Sequence, residues 1–238
     1  LEAVQPAQGY LASANQEPLD PRVDSTYLGA DWYSPWRAVR INQLLQADSA
    51  LTPDAMRRFQ TDPGSPAADL FVPAFLAAAS RVPGQPELSE AARLLAQWDR
   101  RYEQSNTRAV LYEAALARLQ TLLWDELGTD RQRGPRPGLA LVAALLRDPR
   151  SPWWVDRATA PTEDRDQLLS RALVEGLGQV RLAHGAPDGP GWRWDQVQFA
   201  NIRHLLQIPG LSALRVPITG GQSTLNPSTF CAGSSCGM

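Results

Sequence analysis

The chain has 238 residues, with 23 basic side chains against 25 acidic ones, and every basic side chain is an arginine scattered among acids. Near-neutral balance without a basic stripe excludes nucleic-acid binding, and no apolar run approaches the roughly 18–20 residues needed to span a bilayer. With 43% hydrophobic residues the chain can bury one sizeable core.

Gly9 to Ala14 is short and apolar, flanked by Gln and Pro on one side and Asn15-Gln16-Glu17-Pro18 on the other, and it reads as a strand entering a turn. On its own Asn15 is a turn residue tolerant of unusual dihedrals. Glu17 to Tyr33 follows as a loop rich in acids and turn formers, among them Pro18, Asp20, Pro21, Asp24 and Asp31. Ser34-Pro35 opens a helix, because serine can accept from an orphan amide and proline loses no partner at the first position. Ala38, Ile41, Leu44 and Leu45 define its apolar face, and Arg37 falls on that face. A guanidinium so placed needs a fixed acceptor. The Asn15 region is the nearest source of one.

Helices are then expected after Thr52-Pro53 and after Ser65-Pro66, the second with a stripe of Leu70, Phe71, Ala74, Phe75 and Ala78. Ser89 is expected to cap the next, with Leu94, Leu95, Trp98 and Tyr102 on its face. A longer helix runs from beyond Thr107 to Leu127, with Gly128 as a left-handed cap. Asp130 to Pro137 reads as a surface loop, Gly138 to Arg147 as a short apolar helix, and Ser151 to Trp154 as an aromatic anchor. Thr162 is expected to cap a last long helix, with Leu169, Leu173, Gly176 and Val180 inside and Gly185 at its end.

From Ala186 onward turn residues and β-branched residues return. His184 ends a helix and reads as a capping residue, and His204 reads as structural; neither has the sequence context of a nucleophile-activating base. Cys231 and Cys236 lie four residues apart in a Gly/Ser-rich turn, where a short-loop disulfide and two unpaired thiols both fit. Two cysteines without a nearby histidine do not make a metal site.

The ANQEP motif at Ala14 to Pro18, the loop after it, and DWYSPWRAVRINQLL at Asp31 to Leu45 resemble the middle of the large subunit of penicillin acylase-type enzymes, which are N-terminal nucleophile hydrolases. The tract from Trp192 onward resembles the same family, with Gln198 where a histidine is usual and His204 retained. The resemblance implies that Asn15 supplies an oxyanion-hole donor and that Arg37, with twenty-one residues between them, organises the site. It also implies a structural calcium ion and no cofactor for catalysis. Thr26 stands at the matching ligand offset, and Asp24 is the nearest acid and the candidate ligand.

By that resemblance the chain is mainly α with short β segments at both ends, an α+β arrangement that belongs to an αββα fold in the parent enzyme. Residues 1–34 form the strand and oxyanion-Asn loop, 35–185 a helical region, and 186–238 a turn-rich segment returning to strands. Together these make one partial domain. Because the sequence begins at Leu1 and ends in GSSCGM, it reads as an internal or C-terminal fragment of the β subunit lacking the nucleophile, inactive alone. Expected partners are the nucleophile-bearing segment, the α subunit and a small acyl amide such as a penicillin. A dimer of fragments through uncovered strand edges is a further expectation, and the family implies a periplasmic or secreted enzyme.

The helical pattern alone supports a second reading, a non-enzymatic scaffold or interaction module. A Gly-Ser, Gly-Thr or Gly-Cys processing junction encoded roughly two hundred residues upstream would discriminate in favour of the acylase.

Overall fold

The computed structural model describes residues 4–20, 22–30, 32–127, 137–155, 163–206, 208 and 210–228. Cys231, Cys236, Thr162 and Gly128 lie outside the described residues, as does most of the Asp130 to Pro137 loop.

Helices dominate. In chain order they are α1 (Trp36–Ala47), α2 (Pro53–Gln60), α3 (Pro66–Arg81), α4 (Pro86–Ala96), α5 (Ala109–Leu123), α6 (Leu139–Leu145), α7 (Arg165–His184) and α8 (Trp194–Val197). One antiparallel pair follows, β1 (Phe199–Ile202) and β2 (Ala213–Pro217). The chain is therefore mainly α with short β segments.

Local chemistry accounts for the starts of α2 and α3. Thr52 accepts from the Ala55 amide at 3.1 Å and Ser65 from Ala68 at 3.2 Å, each followed by proline at the first helical position. Three starts differ from expectation. Ser34 makes no capping bond and α1 is entered through Pro35. Pro86, with its fixed φ, begins α4 one turn before Ser89, whose hydroxyl donates back to the Gln85 carbonyl. Asp164 begins α7 through a reciprocal capping box with Gln167. The long helix also stops earlier than its apolar pattern suggests, at Leu123, and Asp125–Leu127 continues as a 3₁₀ turn. At the N-terminal end, residues 10–13 have no regular structure, since a strand needs a ladder partner and none of the described residues supplies one.

The core is built around the packing of α5 on α7, with α3 and α4 against α7 and α1 against α3. Gly176 permits the central contact, because a Cβ there would lie 2.7 Å from the Ala115 backbone nitrogen. Leu111, Leu119, Leu169 and Leu173 are fully enclosed at that crossing, each contributing about 1.5–3 kcal/mol by leaving water. At one end of this core Trp98, Tyr102, Tyr112 and Trp194 pack ring to ring with centroids 4.9–5.2 Å apart. Trp154 is buried and its Nε1 donates to the Asp148 carbonyl at 2.8 Å, so the Ser151 to Trp154 segment does serve as an anchor.

The C-terminal tract folds back onto this aromatic cluster. Trp194 Nε1 donates to the Gly220 carbonyl at 2.9 Å, and the Gly220 amide donates to the Tyr102 carbonyl at 3.0 Å. Gly220 has φ +86°, and a Cβ on it would meet the Asn226 carbonyl oxygen at 2.0 Å, so this turn requires glycine. The Gly220 to Ser228 loop thereby lies over the start of α5. None of the helices among the described residues is long and apolar enough to cross a membrane.

Candidate active site

Arg37, on the first turn of α1, reaches back across the loop to Asn15. Its Nη2 donates to Asn15 Oδ1 at 2.9 Å and to the Ala14 carbonyl at 3.2 Å. A guanidinium has only donors, so the asparagine atom facing it must be the oxygen. This fixes the amide: Nδ2 and its two protons point away from Arg37, with no protein acceptor among the described residues. The Asn15 backbone is held too, since its carbonyl accepts from the Tyr33 amide at 2.9 Å and its φ is +63°. Asparagine tolerates that left-handed conformation better than most residues. The turn role of Asn15 and an outward-facing amide thus coexist. The Tyr33 ring stacks under the guanidinium at 5.7 Å from its centroid.

Asn15 and Arg37 stand on the wall between two cavities. One, of about 460 Å³, is an apolar groove between α1 and α2 formed by Ile41, Leu44, Leu45, Met56 and Phe59. The other, of about 1050 Å³, opens between the Asn15 loop, α1, α5 and the Gly220 to Ser228 loop. Trp36, Leu116 and Leu139 give this larger cavity apolar walls, and Gln120, Gln222 and Ser228 give it polar ones.

Glu113 also lines the larger cavity. It sits on α5, is 8% exposed, and its Oε1 accepts from the Tyr102 hydroxyl at 2.5 Å. Burial pushes its carboxyl up to about 7, against the smaller lowering effect of the Tyr102 hydrogen bond. Burial likewise holds the Tyr102 hydroxyl well above the ordinary phenol range, with the neighbouring Glu113 carboxylate adding to the shift. Neither residue stands out by motif. The signal for Glu113 is a single acid within the otherwise uncharged run AVLYEAALA that begins α5.

The remaining expected site residues lie elsewhere. Asp24 Oδ1 accepts from the Thr26 amide at 2.9 Å, and hydrogen bonding with the Thr26 side chain, followed by that amide bond, holds its carboxyl below the usual range. Among the described residues no three His, Cys, Asp or Glu side chains converge on a point. Calcium takes six to eight oxygens, so an ion at Asp24 would need ligands from other segments. His184 ends α7 next to Gly185, which has φ +80°. Burial lowers the His184 imidazole pKa below its ordinary value, favouring the neutral ring over a capping cation. His204 Nδ1 accepts from the Leu206 amide at 3.3 Å in the loop between β1 and β2, a structural contact.

The sequence of this chain is similar to that of three bacterial proteins named acyl-homoserine lactone acylase QuiP. The protein from Pseudomonas aeruginosa is 30% identical, over 94% of this chain and 31% of its own length. That from Pseudomonas putida is 30% identical over 81% of this chain and 26% of its own length. One from Pseudomonas fluorescens is 25% identical over 96% and 30%. The chain thus spans about a third of the length of the curated relatives it matches. The family model for penicillin amidase matches residues 2–238, and the chain belongs to the penicillin amidase family.

Proposed function

We propose that this chain supplies the oxyanion-binding half of an amidohydrolase that cleaves an N-acyl amide. The observation that carries the reading is the hydrogen bond from Arg37 Nη2 to Asn15 Oδ1. It commits the asparagine oxygen to a cation and leaves Nδ2, at a cavity mouth, without an acceptor among the described residues. Donors aimed at a developing oxyanion and fixed beforehand lower the barrier because nothing has to reorient as charge forms. Arg37 is a positioning residue here, with its two acceptors, Asn15 Oδ1 and the Ala14 carbonyl, held by one planar fork.

In the reaction that follows, a nucleophile from another segment of the enzyme, in this family an N-terminal Ser, Thr or Cys with its own α-amine as base, attacks the amide carbonyl carbon. The carbonyl π pair moves onto oxygen, where Asn15 Nδ2 donates to it. Collapse of the tetrahedral intermediate expels the amine, which takes a proton, and water then releases the acid. Acyl-homoserine lactones, named for the relatives, are one N-acyl amide that this chemistry accommodates. The apolar groove beside Asn15 offers room for acyl hydrocarbon.

In the enzyme carrying this chain, Asn15→Ala is expected to lower kcat about 10²–10³-fold, while melting temperature and self-processing stay near those of the parent. An unchanged kcat for hydrolysis of a phenylacetyl anilide or an acyl-homoserine lactone would remove Asn15 from the mechanism.

A further inference from the structure

Glu113 differs from the other buried charge of the described core. Arg108, similarly enclosed, is paired with Asp188 at 2.5 Å. Among the described residues Glu113 has no paired cation, and its one hydrogen-bond partner is the neutral Tyr102 hydroxyl on Oε1. Its second carboxyl oxygen has no donor among the described residues. Glu113 lines the 1050 Å³ cavity, so a ligand there meets its side chain.

Among the described residues, the charged groups on the surrounding elements are already committed. On α7 Glu175 is taken by Arg118 and Arg171, on α3 Asp69 by Arg100, and on α8 Asp195 by Arg193. Arg37, across the same cavity, is bonded to Asn15 and Ala14. Of the groups nearest Glu113, Tyr102 and Tyr112 are both held neutral by burial. No side chain among the described residues supplies the missing positive charge. A buried carboxylate without a counter-ion is costly, so a ligand that brings a cation into the cavity gains what the protein withholds.

We infer that Glu113 is the anionic anchor of a cationic-amine site, holding an alkylammonium through its free carboxyl oxygen, with the ligand's apolar part against Trp36, Leu116 and Leu139. Hydrolysis of an N-alkyl amide releases an alkylamine, which like lysine is protonated at neutral pH, so the proposed reaction itself produces a ligand of this class from such substrates. The inference rests on the acylase reading only for that last step; binding needs no turnover.

The probe is n-hexylammonium, with n-hexanol as its neutral counterpart, titrated into the enzyme carrying this chain by calorimetry. At about pH 8 hexylammonium is expected to bind about tenfold more tightly than hexanol. That advantage should be lost in Glu113→Gln, which keeps the side-chain volume and an acceptor for Tyr102. The parent protein provides a measurement that needs no variant: hexylammonium binding should weaken as pH falls from about 8 to about 6, because the carboxyl is neutralised while an alkylammonium, like lysine, stays charged. Asn15→Ala should lose turnover and keep hexylammonium binding, which separates this site from the oxyanion assignment. Equal binding by the parent and a folded Glu113→Gln, a flat pH profile, or no preference over hexanol would each overturn the site.

Discussion

A side chain's meaning in this chain depends on what its neighbours leave free. Asn15 is informative because Arg37 occupies one end of its amide and thereby orients the other. Glu113 is informative because its neighbours do not neutralise it. Its carboxyl lies near 7 in the folded protein against 4.5 in an unfolded chain. For an acid whose folded pKa is raised, the native state binds the proton more tightly than the unfolded state does. Stability from this group is therefore full below the unfolded value and is lost as pH rises through the folded one. Thermal melts of the parent from about pH 4.5 to 8 should show a decline absent from Glu113→Gln, on the order of 3 kcal/mol in the fully developed limit. Parallel curves for the two proteins would mean that the carboxyl is not buried as the structure has it.

At the scale of elements, the α5 and α7 crossing carries the fold, and two glycines on α7 separate packing from helix propensity. Gly176 faces α5, where an added Cβ would press on Ala115 nitrogen at 2.7 Å and Ala115 Cα at 2.8 Å. These are backbone atoms, so the helices themselves would have to part, costing about 1–3 kcal/mol. The helix-propensity gain of Gly→Ala, about 1 kcal/mol, does not offset the upper part of that range. Gly178, two residues on, meets nothing within 4 Å and is exposed. Gly176→Ala should therefore lower the melting temperature and Gly178→Ala should raise it slightly, by about 0.5–1 kcal/mol of stability. Loss of stability in both variants would count against the close crossing.

The same elements show what was legible beforehand. The stripe of Leu169, Leu173, Gly176 and Val180 was readable because burial follows the 3.6-residue period, and all four are buried. Thr52 and Ser65 were readable because a cap followed by proline is a local signal. The start of α4 at Pro86, ahead of Ser89, was ambiguous because proline and serine signals lay within one turn of each other. At the site, the Asn15 and Arg37 pair was legible through family resemblance and through the need of Arg37 for an acceptor. Glu113 was not. Its partner Tyr102 lies outside its helix, and the loop covering both comes from Gly220 onward, more than a hundred residues later in sequence.

For the whole molecule the division that matters is between the enclosed helical core and the hairpin that leaves it. β1 and β2 form a two-stranded sheet, with register shifted between Ala200 and Ile202 and φ +54° at Arg215. Ile202, Leu205, Leu206, Leu211 and Leu214 are exposed along the hairpin and its loop. A two-stranded hairpin is marginal in water unless a third strand or a helix covers it, whereas α5 and α7 lie in the enclosed core. Hydrogen exchange of the chain should therefore show the ladder amides of Ala200 and Val216 exchanging through low-energy local opening, while amides within Leu111–Leu119 and Leu169–Val180 exchange last. The Gly220 turn should side with the core, because its amide and carbonyl bond Tyr102 and Trp194. That would place one wall of the larger cavity in the stable unit and keep Glu113 enclosed while the hairpin opens. Simultaneous exchange of the Gly220 amide with the hairpin would instead mean that the cavity wall opens with it, and Glu113 would then titrate as an ordinary exposed carboxyl.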